Sequence, residues 1–508
     1  MRALLIPLLA VLLAPALVAQ ARPSPYVPLD HPLLPLAEYL IARGDIADPS
    51  PMYRPFRRSD LLHAIEQAAL DPDSPSGRIA ERLTQAWADP DSANWVRAEA
   101  RGGIDAFSRA RRDLLHPAGD GGARFYAELP IHGRFGPVVI GSRPAAENRL
   151  KLDPDWAGSD FQNRKNQAYR FIEGYLSAQF EHARLYFGQM NRNWGPVGSL
   201  GLSIADYAYP RTELGFDLMF RDFQLNVVAT ELNEMVSISG ATHKRYLMAH
   251  RLNVRLTRRL NLAIWETGIL ASENQSFDPT FRNPFVLLSF PIQLGLPDTR
   301  NTIIGGDMAW RPVDGLLLEG QAMIDDRWRL RDDPDGTGEP KHPGRWALTG
   351  AATLRVGSSA LLRTHFSVIN SLAYRTIDST QNFLDRGLGI GPNFPDGLTV
   401  GASLAVPIRE RWLVQPDVTV LKQGEGRITT PFPTNAELPN TPELFLGQPT
   451  TTVRLGATVS GGFGALQVSG TGGYFMSKHV DHIRGLDRNS FEARIKATIG
   501  IMRQGPVR

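Results

Sequence analysis

From about residue 94 onward the chain alternates apolar and polar side chains. Thr451, Val453, Leu455, Ala457 and Val459 share one face, against Thr450, Thr452, Arg454, Gly456, Thr458 and Ser460 on the other. Residues 491–501 repeat the pattern, with Phe491, Ala493, Ile495, Ala497, Ile499 and Ile501 opposite Glu492, Arg494, Lys496 and Thr498. Residues 397–406 set Leu398, Val400, Ala402, Leu404 and Val406 opposite small side chains. Such alternation is that of an extended strand, whose successive side chains point to opposite faces. Upstream, over residues 23–90, the spacing becomes helical. Leu36, Tyr39, Leu40 and Ile41 fall on one face, Ser59 is placed as an N-cap before Leu61, Leu62, Ile65 and Leu70, and a third short helix covers 79–87.

The connections separate a soluble sandwich from a membrane barrel, because outer-membrane barrels alternate short periplasmic turns with long surface loops. Short links fall at 461–464, 407–410, 357–359, 312–315, 258–259, 221–222 and 182. Long ones lie between them, at 477–488, 423–449, 375–396, 327–344, 271–300, 232–243 and 191–210. Two periplasmic chain ends require an even number of strands, and a turn at 133–137 supplies it. The expectation is an all-β, transmembrane antiparallel β-barrel of about 18 strands over residues 93–508. A small periplasmic α-helical region at 22–92 is expected to pack outside its wall.

Parity assigns the two faces. Tyr246, Met248, Leu252, Val254 and Leu256 go to lipid, whereas Arg245, Arg251, Asn253 and Arg255 go to the lumen. Arg345, Arg355, Arg363, Arg454, Arg494 and Lys496 join the lumen set, with Glu173, Glu319, Asp325 and Glu492 to neutralise them. Tyr175, Phe180, Phe216, Phe220, Trp265, Trp310, Trp346, Trp412, Tyr474 and Phe475 lie toward strand ends, where interfacial aromatic girdles are found. Arg54, Arg57 and Arg58 read as a solvated helix start or as contacts to lipid head groups or a periplasmic partner.

Composition narrows the address. Met1-Arg2, an apolar run to Val18 and Ala19-Gln20-Ala21 have the order of a secretory signal over residues 1–21. Zero cysteines rule out a disulfide framework and thiolate chemistry. No later segment offers 18 uninterrupted apolar residues, so a membrane-inserted chain of this composition is a barrel of the bacterial outer membrane. With 55 Lys+Arg against 52 Asp+Glu the net charge is +3, which speaks against a nucleic-acid binder.

Motifs for chemistry are scarce. His479 and His482 in KHVDHIR lack the glutamate of a metalloprotease helix and read as surface-loop histidines. The run DDPDGTGEP at 332–340 is oxygen-rich without EF-hand spacing. Neither G-x-S-x-G nor a glycine-rich phosphate cradle occurs. No catalytic residue, metal site or cofactor is therefore assigned.

One stretch is written differently. Gly188-Gln189-Met190-Asn191-Arg192-Asn193-Trp194-Gly195-Pro196 leaves one strand, and Tyr209-Pro210-Arg211-Thr212-Glu213-Leu214-Gly215-Phe216 enters the next. These runs, FGQMNRNWGP and YPRTELGF, together with EYLIARGDI and SPMYRPFRRSDLLHAIEQA upstream, resemble the Wzi-like outer-membrane capsule assembly family. The resemblance implies a non-enzymatic barrel that attaches or organises capsular or surface polysaccharide, among outer-membrane lipid and with a possible periplasmic or export-machinery partner. On the residues themselves, an aromatic face such as Trp194, Tyr207 or Tyr209 suits a sugar ring, and Arg192 and Arg211 suit carboxylates, with Asn193 and Glu213 completing the polar set. The same residues also suit an inward-packed plug in which Arg211 pairs with Glu213 or Asp206. A diffusion channel for small solutes is the alternative function, and a barrel enzyme acting on lipid or glycan a third.

Overall fold

The computed structural model describes residues 22–109, 114–148, 153–156, 167–273, 300–325, 344–434 and 436–507. The expected signal at 1–21 and the oxygen-rich run at 332–340 lie outside them. Three helices come first: α1 (Leu34–Arg43), α2 (Arg58–Ala68) and α3 (Pro75–Trp87). Helix α2 starts one residue before the anticipated cap. Arg57 is its N-cap, and the Ser59 amide instead donates to Ser24 Oγ at 2.9 Å.

The strands follow in chain order: β1 (Asn94–Phe107), β2 (Gly122–Glu128 and Ile131–Phe135), β3 (Val138–Asn148), β4 (Gln167–Gln179), β5 (Ala183–Gln189), β6 (Thr212–Met219), β7 (Phe223–Val236), β8 (Thr242–Thr257) and β9 (Leu260–Ser272). The second half comprises β10 (Arg300–Trp310), β11 (Leu316–Ile324), β12 (Trp346–Val356), β13 (Ala360–Ile369), β14 (Gly397–Ile408), β15 (Trp412–Gln423), β16 (Thr450–Phe463), β17 (Leu466–Lys478) and β18 (Arg488–Pro506). Both stretches of β2 pair with β1 and β3, so they form one wall strand interrupted at Leu129-Pro130, where proline supplies no ladder donor. The turn after β2 falls at Gly136-Pro137, at the end of the expected 133–137 interval.

Closure comes from β1 against β18, in register from Trp95↔Pro506 to Phe107↔Arg494. The result is a closed antiparallel barrel of 18 strands, which leaves no unpaired edge in the membrane. Its location is the outer membrane, crossed by every wall strand.

Parity holds along the wall. Phe491, Ile495 and Leu455 stand 66%, 58% and 50% exposed on the outer face, whereas Arg245 and Arg251 are buried inside. Arg363 pairs with Glu319 at 3.0 Å, as the alternation suggests. Three further lumen arginines find carboxylates that sequence had not singled out: Arg251 meets Asp307 at 2.9 Å, Arg494 meets Asp105, and Arg454 meets Asp417, whereas Arg245 is held by the carbonyls of Thr380, Asn382 and Leu384. Three aromatics assigned to the girdles face inward instead. Tyr175, Trp265 and Phe475 sit on lumen positions and are buried, and Trp265 Nε1 donates to Asp307 at 2.7 Å.

The helical region is not a separate unit outside the wall. Its residues reach lumen positions from β3 to β8: Tyr26 packs edge-on against Tyr175 and Tyr186, Asp30 binds Arg143 at 2.7 Å, Tyr53 donates to Asp217, and Pro51 O accepts from Arg251. Arg43 and Arg82 cap the short turns at Ser358 and Gly462. Leu361 and Leu413 from the wall join the helices' apolar core. Arg54, Arg57 and Arg58 are accordingly buried rather than solvated or at lipid head groups. Arg54 is held by Glu38 at 2.6 Å and Asp48 at 3.1 Å, and Arg57 by Asp60. A buried guanidinium needs such partners, because water is no longer there to solvate it.

Candidate functional site

The connection between β5 and β6, residues 190–211, turns into the barrel rather than away from it. Two glycines allow the fold. A Cβ on Gly201 would lie 2.2 Å from Trp194 O and 2.5 Å from Ile204 O, and one on Gly195 would lie 2.6 Å from Gly201 Cα. The Trp194 amide donates to Ile204 O at 2.8 Å, and Asn193 clamps the same turn by accepting from Gly201 N and donating to Ser199 O.

Lumen side chains then hold the loop from below and beside. Gln321 accepts from Leu202 N at 2.6 Å and donates to Trp194 O at 3.0 Å, Arg363 donates to Val197 O, and Tyr374 Oη donates to Leu202 O. The loop also meets the N-terminal segment. Arg54 and Asn193 exchange backbone hydrogen bonds at 3.0 and 3.3 Å, and the ring of Tyr53 lies 5.4 Å from that of Trp194.

An apolar core fills the mouth above this junction. Leu202 packs with Leu232, Leu247, Ile269, Ile303 and Met323 from lumen positions of the wall, and with Tyr374, Phe383 and Ile390 from the β13–β14 connection. That connection is itself tied down. Asp396 accepts amides of Gly426, Phe445 and Leu446, and burial pushes its carboxyl above the ordinary range against the pull of those donors. Sequence carried a signal for this core that alternation alone hides: Leu247-Met248, Ile269-Leu270 and Ile303-Ile304 are apolar on both faces.

The seven singled-out residues therefore separate into two groups. Arg192, Asn193, Trp194, Tyr207 and Glu213 are buried, so none of them presents a surface to an external sugar. Arg192 binds Glu213 at 2.7 Å and lies over the Tyr186 ring, which takes the acid that the inward reading had offered to Arg211. Tyr207 stacks on His116 at 4.1 Å. Tyr209 and Arg211 are half-buried, with Tyr209 Oη donating to Asp153 and the Arg170 guanidinium over its ring. The crevice between the two groups holds about 10 Å³, space for roughly one water molecule and none for a sugar ring.

His479 and His482 serve the outer loops. His482 contacts Gln448 O at 2.7 Å and Arg427 at 2.8 Å, while His479 Nδ1 accepts from the Gly485 amide. Neither belongs to a metal-binding cluster among the described residues.

No family model matches the chain, and no curated protein matches its sequence. Solved structures do share its fold. One is the outer-membrane protein Wzi of Escherichia coli, a carbohydrate-binding β-barrel involved in group 1 capsule assembly. It is 13% identical with a TM-score of 0.63, over 93% of this chain and 98% of that one. The outer membrane protein OprD of Pseudomonas aeruginosa gives 11% identity and a TM-score of 0.43, over 81% and 94%. The chain is thus similar in fold to Wzi over nearly its whole length.

Proposed function

We propose that this barrel attaches or organises capsular or other surface polysaccharide, non-enzymatically, at its long-loop face, in the manner of the Wzi-like family. The observation that carries the reading is the plug that occupies the lumen along β7–β12. The N-terminal segment enters from the short-turn end, the 190–211 loop from the other, and the two meet at Tyr53 and Trp194 under an apolar core. With the interior so occupied, the exposed loops are the surface left for a large polymer. The fold shared with a carbohydrate-binding barrel agrees with this. Tyr209 and Arg211, half-buried at the edge of the plug, are the sugar-facing candidates, with Trp194 and its neighbours holding the platform behind them.

The second reading, a diffusion channel, draws on the partly exposed hydroxyl side chains Ser403, Thr419, Thr458 and Thr471 inside β14–β17. Planar-bilayer conductance and surface retention separate the two. A closed pore is expected, together with loss of cell-bound polysaccharide in the Tyr209→Ala, Arg211→Ala double variant at unchanged barrel abundance. The expected affinity loss is roughly 1–3 kcal/mol per contact, which multivalent attachment dilutes. Normal retention with a large steady conductance would replace the anchoring role by the channel.

A further inference from the structure

The apolar belt is notched at the long-loop end of β11 and β12. Ile324 and Trp346 are register partners whose parity turns both outward, and Ile324 is 49% exposed. With Arg345 and Glu443 they line a crevice of about 340 Å³. Its floor is continuous with the lipid-facing surface, and its two charged walls come from the rim and from the β15–β16 connection. The rim side is anchored: Arg345 Nη1 donates to Arg375 O at 2.6 Å, its guanidinium carbon lies 5.8 Å from the Phe432 ring centre, and Glu443 O accepts from Ser371 N. Alternation alone sends Arg345 to the lumen. At the very end of the strand the rim lets it line an outer crevice instead.

The occupant follows from this order of chemistry. Aliphatic Ile324 lies on the membrane side, an indole stands beside it, and a cation and a carboxylate lie on the loop side. A molecule matching all three has an acyl chain, a sugar ring and an anionic group in that sequence. A soluble glycan would not need the apolar floor, and a simple phospholipid would leave Trp346 and Glu443 without a sugar to stack on or accept from. Because long loops mark the cell exterior, the crevice sits at the head-group level of the outer leaflet.

We propose that this crevice is a binding site for an anionic glycolipid of the outer leaflet, with Arg345 toward its phosphate or carboxylate, Trp346 against its sugar and Ile324 against its acyl chain. The site is separate from the loop plug and does not depend on how surface polysaccharide is held.

Native mass spectrometry of the full chain in detergent tests it, with lipid A, a diphosphorylated acylated glucosamine disaccharide, as the probe. One retained lipid A per barrel is expected, with Arg345→Gln lowering occupancy at least about fivefold. Ile324→Trp, which fills the crevice from the lipid side without touching the lumen, should abolish retention while the barrel keeps its heat-modifiable migration. Wild-type occupancy in both variants would overturn the site. Equal retention of phosphatidylglycerol would overturn the sugar contact, and equal retention of the deacylated disaccharide would overturn the membrane source.

Discussion

The lumen faces of β7–β12 and β14–β17 are made by the same strand alternation and are filled in opposite ways. In the first sector Asn226, Thr267, Gln321 and Thr349 are fully buried, and Arg251 and Asp307 form an ion pair at 1% and 2% side-chain exposure. In the second, Ser403, Thr419, Thr458 and Thr471 stay half-buried, with Gly401, Gly456 and Gly473 between them. Their hydroxyls answer one another, Thr452 with Ser477 at 3.0 Å and Thr458 with Thr471 at 3.3 Å. Alternation only separates an inner face from a lipid face. What lies against that face depends on segments distant in sequence, and here the N-terminal segment and the 190–211 loop press on one side of the barrel.

The sharpest break of this contrast is removal of one arginine from each sector. Arg251→Ala leaves Asp307 buried without its cation and should cost about 3–5 kcal/mol. Arg454→Ala, whose pair with Asp417 is partly hydrated, should cost about 1 kcal/mol. Thermal unfolding in detergent, followed by gel migration, measures both, and equal losses would mean the two sectors are equally dry.

Trp194→Ala acts on the junction between loop and N-terminal segment. A cavity replaces a fully buried indole, so a loss near 3 kcal/mol is expected, read as protease cleavage within 190–211 while the wall stays folded. Cleavage no faster than in the unmodified chain would show that the loop is held by its glycine turn and Gln321 alone.

Accessibility offers a finer comparison, made clean by the absence of native cysteine. Thr471→Cys should react with a water-soluble thiol reagent on the order of tenfold faster than Asn226→Cys, since the latter is reached only through local opening. Equal rates would remove the hydrated sector and with it the observation favouring a channel.

The smallest expected effect concerns pH. Burial, with Arg101 and Arg58 nearby, holds the His31 imidazole well below its ordinary value of 6.5. A depressed value means that its contribution is present above pH 6.5 and is lost as pH falls below it, because the unfolded segment takes up a proton that the docked one refuses. Release of the N-terminal segment to limited proteolysis should therefore increase between about pH 6.5 and 5.5, by about 1 kcal/mol, and His31→Gln should flatten the profile. An unchanged profile in that variant would assign the pH response elsewhere.

Legibility followed the range of the interactions. Each wall strand could be read because burial on one side and lipid on the other impose a local period, and short turns announce themselves through Gly, Pro and charged pairs. The loop at 190–211 was legible as unusual from its glycines and aromatics, but its direction was not. Trp194 outside on a sugar and Trp194 inside on Tyr53 have the same sequence. Arg54, Arg57 and Arg58 were misplaced for the same reason: their carboxylates Glu38, Asp48, Asp60 and Asp89 are no pattern until the segment folds back into the barrel.

Sequence by itself thus determined the barrel, its strand number, its membrane and the sign of each wall face, all consequences of nearest-neighbour geometry repeated along the chain. Tertiary structure decided what occupies the lumen. Closure brings Tyr53, Trp194, Gln321 and Arg363 within contact although more than a hundred residues separate Tyr53 from Trp194 and Trp194 from Gln321, and no local period records a contact made across the inside of a ring.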